Sequence, residues 1–132
     1  EQNPLDACLL NLNFPHFVGL SSSGITGKIP TQLAYCTEII ELDLSSNSLE
    51  GAVPSQLGLH THWKFDLSHN TLSSSIPTEL GGANPPNYGI ALQTLRLNGN
   101  ALSSSIPSEL GELQTDETMD LSSNSLTSTI PR

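Results

Sequence analysis

Positive charge is what this sequence lacks most. Lys28, Lys64, Arg96 and Arg132 stand against 13 acidic residues, for a formal net charge of −9. Phosphate binding needs clustered cations and these four are scattered, which excludes nucleic acid and anionic membrane surfaces as partners. A basic partner or a cation is compatible with the balance. Aromatics are also few, at 5%, and charged residues reach only 13%. Leu, Ser, Asn, Gly and Pro fill the gap, and a core made mostly of Leu and Ile points to a regular stacked architecture. No apolar run approaches the ~18 residues that a membrane helix needs. No basic n-region followed by an apolar h-region opens the chain, so Glu1 reads as a mature or trimmed terminus. The 132 residues fit one domain.

What is present is a repeat. Leu42-Asp-Leu-Ser-Ser-Asn47-Ser-Leu49, Phe65-Asp-Leu-Ser-His-Asn70-Thr-Leu72, Leu95-Arg-Leu-Asn-Gly-Asn100-Ala-Leu102 and Met119-Asp-Leu-Ser-Ser-Asn124-Ser-Leu126 align directly. A weaker fifth stretch, Val18-Gly-Leu-Ser-Ser-Ser23-Gly-Ile25, precedes them. Each is followed by an apolar residue and a proline, at Pro30, Pro54, Pro77, Pro107 and Pro131. The prolines are 24, 23, 30 and 24 residues apart.

The pattern LxLSxNxLxGxIPxxLGxL in these stretches resembles the plant-type leucine-rich repeat of receptor-kinase ectodomains and polygalacturonase-inhibiting proteins. The resemblance runs from roughly Phe17 to the C-terminus, and the period falls within the ~20–29 residues of such repeats. It implies an α/β fold: a right-handed leucine-rich-repeat solenoid of about five coils over residues 17–132, with a parallel sheet on its concave side.

The residues themselves give the physical basis. Leu42-x-Leu44 has strand period, with both side chains inward and Glu41, Asp43 and Ser45 outward. One coil cannot bury that apolar face alone. Stacking coils ~4.8 Å apart joins the strands into a sheet and closes a Leu core. Asn47, Asn70, Asn100 and Asn124 then form an internal ladder, because an amide both donates to and accepts from a turning backbone. Ser23 makes a shorter version of the same bond, as befits an atypical end repeat. Each proline after its aliphatic residue sits where the chain bends away and can spare an N–H.

Asn3-Pro4-Leu5-Asp6 is a helix-start signal, and Leu5, Leu9 and Leu12 follow at helical spacing. Residues 4–12 are expected to form a capping helix within an N-terminal cap over 1–16. Cys8 on that helix and Cys36 in the first repeat form either a disulfide, which implies an oxidising compartment, or two buried thiols. The relatives usually carry paired cysteines at both ends. This chain does not, and it has no Asn-x-Ser/Thr sequon. A secreted, extracellular or organelle-lumen location is the expectation. The chain stops at Pro131-Arg132 in mid-coil, which leaves Leu core and sheet edge to be covered by a partner or by further chain. The third repeat is seven residues long beyond its neighbour, and Gly81-Gly-Ala-Asn84-Pro-Pro-Asn87-Tyr88-Gly89 reads as a loop inserted there. Insertions in solenoids often bind, so Asn84, Asn87 and Tyr88 are candidate contact residues.

The outward strand positions form columns. One holds Gly19, Asp43, Asp66, Arg96 and Asp120. Its neighbours hold Glu41, Lys64, Thr94 and Thr118, and Ser21, Ser45, Ser68, Asn98 and Ser122. Arg96 is expected between Asp66 and Asp120. Glu41, Asp43, Lys64, Asp66, Arg96 and Asp120 form a small polar binding surface for a protein, a peptide or a glycan, without the aromatics of tight interfaces. A second set of columns runs through Thr26-Gly-Lys28, Glu50-Gly-Ala52, Ser73-Ser-Ser75, Ser103-Ser-Ser105 and Thr127-Ser-Thr129. Such an array could order water as ice-binding solenoids do, although Lys28 and Glu50 interrupt it.

Catalytic signals are missing. His60-x-His62 matches no common zinc spacing, and His16 and His69 add no Cys pair. No Gly-x-Ser-x-Gly elbow occurs. Glu38, Glu41 and Asp43 resemble a glycosidase carboxylate group, but a strand face offers no deep pocket to raise a pKa. Neither enzyme activity, nor a metal, nor a cofactor is expected. The leading function is a non-catalytic protein-interaction module. The alternatives are an accessory subunit docked in a larger assembly and an ice-binding solenoid.

Overall fold

The computed structural model describes residues 17–36, 39–59, 64–82, 92–113, 118–127 and 130. In chain order the strands are β1 (Phe17–Gly19), β2 (Thr26–Lys28), β3 (Glu41–Asp43), β4 (Ser48–Ala52), β5 (Lys64–Asp66), β6 (Thr71–Ser73), β7 (Thr94–Arg96) and β8 (Thr118–Asp120). Strands β1, β3, β5, β7 and β8 lie side by side as one parallel sheet, and β2, β4 and β6 form a second. The first four coils then end in a tight helical turn. These turns are 3-10 helices at Thr31–Tyr35, Ser55–Leu59 and Ser108–Glu112, and one α-turn, α1, at Glu79–Gly82.

In each strand of the larger sheet the central residue and the residue just after the strand are apolar and face inward. Leu42, Phe65 and Leu95 at the centres are buried, and so are Leu44, Leu67 and Leu97 just after. Leu49, Leu72 and Leu102 continue the same core on the far side of each turn, with Leu33, Leu57, Leu80 and Leu110 from the helical turns. Leu121 packs against its edge. Burying one such side chain stabilises by roughly 1.5–3 kcal/mol, and no coil can do so without its neighbour.

The asparagine amides tie the turns. Asn70 Oδ1 accepts from the Leu49 N–H at 3.0 Å, and its Nδ2 donates to the carbonyls of Leu44 and Leu67 at 3.0 and 3.1 Å. Asn47, Asn100 and Asn124 repeat the arrangement on Ile25, Leu72 and Leu102. In the first coil the Ser23 hydroxyl donates to the Ser21 carbonyl, the bond that the amides make two residues back. The residue before each of these positions takes a left-handed backbone: Ser22, Ser46, His69, Gly99 and Ser123 have φ of 51°, 54°, 55°, 70° and 53°. The turn imposes this whatever residue occupies the site, at a cost of roughly 1–2 kcal/mol where it is not glycine. Pro30, Pro54, Pro77 and Pro107 donate nothing, but their carbonyls accept the first bond of the helical turn that follows.

The second sheet differs from the alignment read from the repeat. There Glu50 aligns with Ser73, yet in the structure Glu50 pairs with Thr71 and Ala52 with Ser73. The stagger recurs as Ser75 opposite Ser103 and Ser105 opposite Thr127. After the Asn turn the Leu N–H groups are taken by the next coil's amide. The strands therefore meet obliquely, two residues out of phase. Gly27, Gly51, Ser74 and Ser104 all have positive φ here, so serine occupies a backbone that glycine fits more easily.

The cap expected over residues 1–16, Cys8 within it, and Asn84, Asn87 and Tyr88 of the inserted loop lie outside the described residues. Cys36 is buried at the end of the first helical turn and is disulfide-bonded. No helix among the described residues is long and apolar enough to cross a membrane.

Candidate binding interface

The outer face of the five-stranded sheet is built by strict parallel register. Asp43 lies opposite Asp66, Asp66 opposite Arg96, and Arg96 opposite Asp120. The adjoining column is Phe17, Glu41, Lys64, Thr94 and Thr118. The Asp-Leu-Ser sequence fixes each aspartate locally. Ser45 donates from both its N–H and its hydroxyl to Asp43 Oδ1, at 3.0 and 2.6 Å. Ser68 on Asp66 and Ser122 on Asp120 do the same at the same distances. One carboxylate oxygen is thus spent holding the rotamer, and Oδ2 is left for another partner.

Coil four breaks the pattern at three positions together. Arg96 replaces aspartate, Asn98 replaces serine, and Gly99 replaces the Ser or His of the other coils. The Arg96 guanidinium lies 3.8 Å from Asp66 Oδ2. Both groups are partly exposed, so the pair contributes about 0–1 kcal/mol and mainly positions the arginine. Asn98 Nδ2 is 3.5 Å from His69 Nε2. Gly99 leaves room for that ring, since an added Cβ would meet His69 Nδ1 at 2.7 Å. Asn98 Oδ1 is buried and has no hydrogen-bond partner among the described residues.

Glu41, Asp43, Lys64, Asp66, Thr94 and Arg96 line a concavity of about 200 Å3 on this face. Five of the six residues expected at the site therefore surround one depression. Asp120 stands one strand farther on, beside Arg96, and is not part of its lining. The lining carries both signs of charge and suits polar side chains of a partner.

Asp120 titrates below the ordinary value of 3.8. The cause is, first, the hydrogen bond from the Ser122 hydroxyl, then the one from its N–H, with smaller help from Arg96 and His69 against a desolvation cost. Because the folded-state value is depressed, the stabilisation is complete above the unfolded value and is lost as pH falls through the folded one. Asp120→Asn should lower the melting temperature slightly at neutral pH. The difference from wild type should close as the solution is taken below about pH 4, which thermal scans from pH 7 to 2 would read.

Reading the columns from the aligned motifs missed Phe17. The weak first stretch aligns from Val18 onward, which starts that column at Glu41. Counting two residues back from Gly19 is the signal that finds it. Phe17 is 54% exposed and supplies an aromatic to the face.

Elsewhere, Lys28 and Glu50 are exposed among the hydroxyls of the second sheet. Ile106, Leu110, Leu113, Met119, Leu121 and Ile130 lie along an apolar groove of about 460 Å3. Among the described residues no group of His, Cys, Asp and Glu is arranged to hold a metal.

Comparison with known proteins agrees with the fold. The family model described as Leucine Rich Repeat matches residues 38–59, 63–83 and 91–113. A chain in the crystal structure of the BIR3–SERK2 complex from Arabidopsis thaliana superposes with a TM-score of 0.77 at 38% identity, covering 86% of this chain and 58% of that one. The BIR2 ectodomain from the same plant gives 0.76 at 34% identity, covering 86% and 57%. Over 38 residues the chain is 50% identical to the inactive LRR receptor-like serine/threonine-protein kinase BIR2 of Arabidopsis thaliana, which is 29% of this chain and 6% of that protein. The chain thus spans a little over half of each of these two structures. Its repeat, its two parallel sheets and these likenesses make it a member of the leucine-rich repeat family, similar to plant receptor-like proteins.

Proposed function

We propose that this chain is a non-catalytic binding module that engages a protein or peptide through the outer face of its five-stranded sheet, at Glu41, Asp43, Lys64, Asp66, Arg96 and Asp120. One observation carries the reading. The inward positions repeat from coil to coil, whereas the outward column changes from Gly19 through aspartates to Arg96, around a depression of mixed charge. A purely structural sheet has no use for that variation. The likeness to ectodomains, one of them in a protein–protein complex, supports the same class of role and a place outside the cell. The Cys36 disulfide suits an oxidising compartment.

The test compares two charge reversals of equal size on opposite sheets. Arg96→Glu changes the proposed face and Glu50→Lys changes the second sheet. A partner captured by wild type should lose about tenfold or more in affinity with Arg96→Glu and little with Glu50→Lys. The reverse ranking moves the site to the other sheet and ends the proposal.

A further inference from the structure

We infer that Phe17, Glu41 and Asp43 form a subsite for one basic side chain, arginine or lysine, of an extended segment of the bound partner. The inference rests on the outer face of the five-stranded sheet being the binding face.

The first observation is the ring. Phe17 faces outward from the edge strand β1 and is 54% exposed, while Val18 beside it is 6% exposed and belongs to the core. The ring does not stand away from the sheet. It lies down over Gly19, where an added Cβ would come within 2.6 Å of its Cε1. Every later coil has Asp or Arg at the Gly19 position. Only the coil with glycine leaves a surface on which an aromatic can rest, so Phe17 and Gly19 are a matched pair. Half of a large apolar side chain is thereby kept in water on a face that is otherwise polar.

The second observation is the charge beside it. Register places Glu41 level with Phe17 and Asp43 level with Gly19, one strand away. Asp43 has Oδ1 tied by Ser45, which leaves Oδ2 as its acceptor. Farther along the sheet Asp66 has its own cation in Arg96. The salt bridge of this face, Arg96 to Asp66, does not reach Glu41 or Asp43, in a chain whose net charge is −9. Lys64 lies level with Glu41 on β5, on the side of β3 away from Phe17. On the side nearer the ring, Phe17 and the two carboxylates, about one strand spacing apart at ~4.8 Å, hold a cation by attraction to the ring within ~6 Å and by charge-assisted hydrogen bonds to the carboxylates. Sugars also stack on aromatic rings, but a neutral glycan gives no use to two adjacent negative charges. The pairing therefore favours a basic peptide side chain.

Peptides selected from a random displayed library on the whole chain provide the probe. The selected sequences should share an Arg or Lys at one position. Replacing it with citrulline or norleucine should weaken binding about tenfold. Phe17→Leu keeps an apolar side chain over Gly19 and removes the ring. It and Glu41→Gln should each weaken the basic peptides several-fold and leave the citrulline peptides unchanged. Circular dichroism of both variants checks that they fold. Peptides that bind through Arg96 but ignore Phe17→Leu and Glu41→Gln overturn the subsite and leave the binding face standing. Peptides indifferent to Arg96→Glu as well, or none at all, overturn both. Glycans bound through Phe17, with no basic preference among peptides, overturn the choice of ligand.

Discussion

Alanine at Gly81 should destabilise the chain by about 3 kcal/mol, while alanine at Gly111 should be close to neutral. The two glycines occupy the same place in the repeat, after Leu80 and Leu110. Neither has a positive φ, so alanine is conformationally acceptable at both. What differs is the neighbour. A Cβ added at Gly81 would overlap the carbonyl of Glu109 and come within 2.6 Å of the Leu110 nitrogen, whereas one added at Gly111 meets nothing within 4 Å. Backbone cannot swing aside as a side-chain tip can. The helical turns of two coils would have to separate, and the Leu core between them would open. At Gly111 the reduced freedom of the unfolded chain should even add a few tenths of a kcal/mol to stability. Urea denaturation of the two variants checks this. Equal midpoints would show that the coils stack more loosely than the backbone distances imply.

Asn70→Ala should cost a similar amount, about 3 kcal/mol, the largest loss on the amide ladder. Asn70 is 7% exposed, and the other three ladder amides are more open. Removing it strips the Leu49 N–H of its acceptor in a place water does not reach. The carbonyls of Leu44 and Leu67 keep one donor each, from Asn47 and Asn100, so they are weakened rather than orphaned. An unsatisfied buried donor costs about 1–3 kcal/mol, and the vacated volume adds to it. Asn70→Asp should be no better at neutral pH, because it restores the acceptor but turns a carboxylate on those carbonyls. The partly exposed Asn124 gives the comparison. If Asn124→Ala shifts the urea midpoint as far as Asn70→Ala, burial is not what sets the cost.

The inside of this fold is legible because stacking forces each coil to repeat its neighbour's solution. Leu-x-Leu and the asparagine mark the same inward positions every time. The register Asp43, Asp66, Arg96, Asp120 therefore follows from aligning the motifs. The second sheet was harder, since its oblique pairing depends on which N–H groups the amides have already taken, and no residue pattern states that. Phe17 escaped for a related reason. A first coil with Ser23 in place of asparagine aligns weakly, and the outward residue at its start is easily left off the column. The concavity itself depends on how far side chains reach from register positions, as do the Asn98–His69 approach and the buried Asn98 oxygen.

The ladder also has a direction. Asn47 binds the backbone of the coil before it, at Ile25 and Leu20, and Asn124 does so at Leu102 and Leu97. Each coil is thus fastened by its successor. A nick between two coils injures the halves unequally: the upstream fragment loses the amide that pinned its final bend, and the first amide of the downstream fragment still holds its own turn, as Asn47 does at Leu44 and Ser45. Unravelling then has a grain, spreading towards the amino terminus from any break.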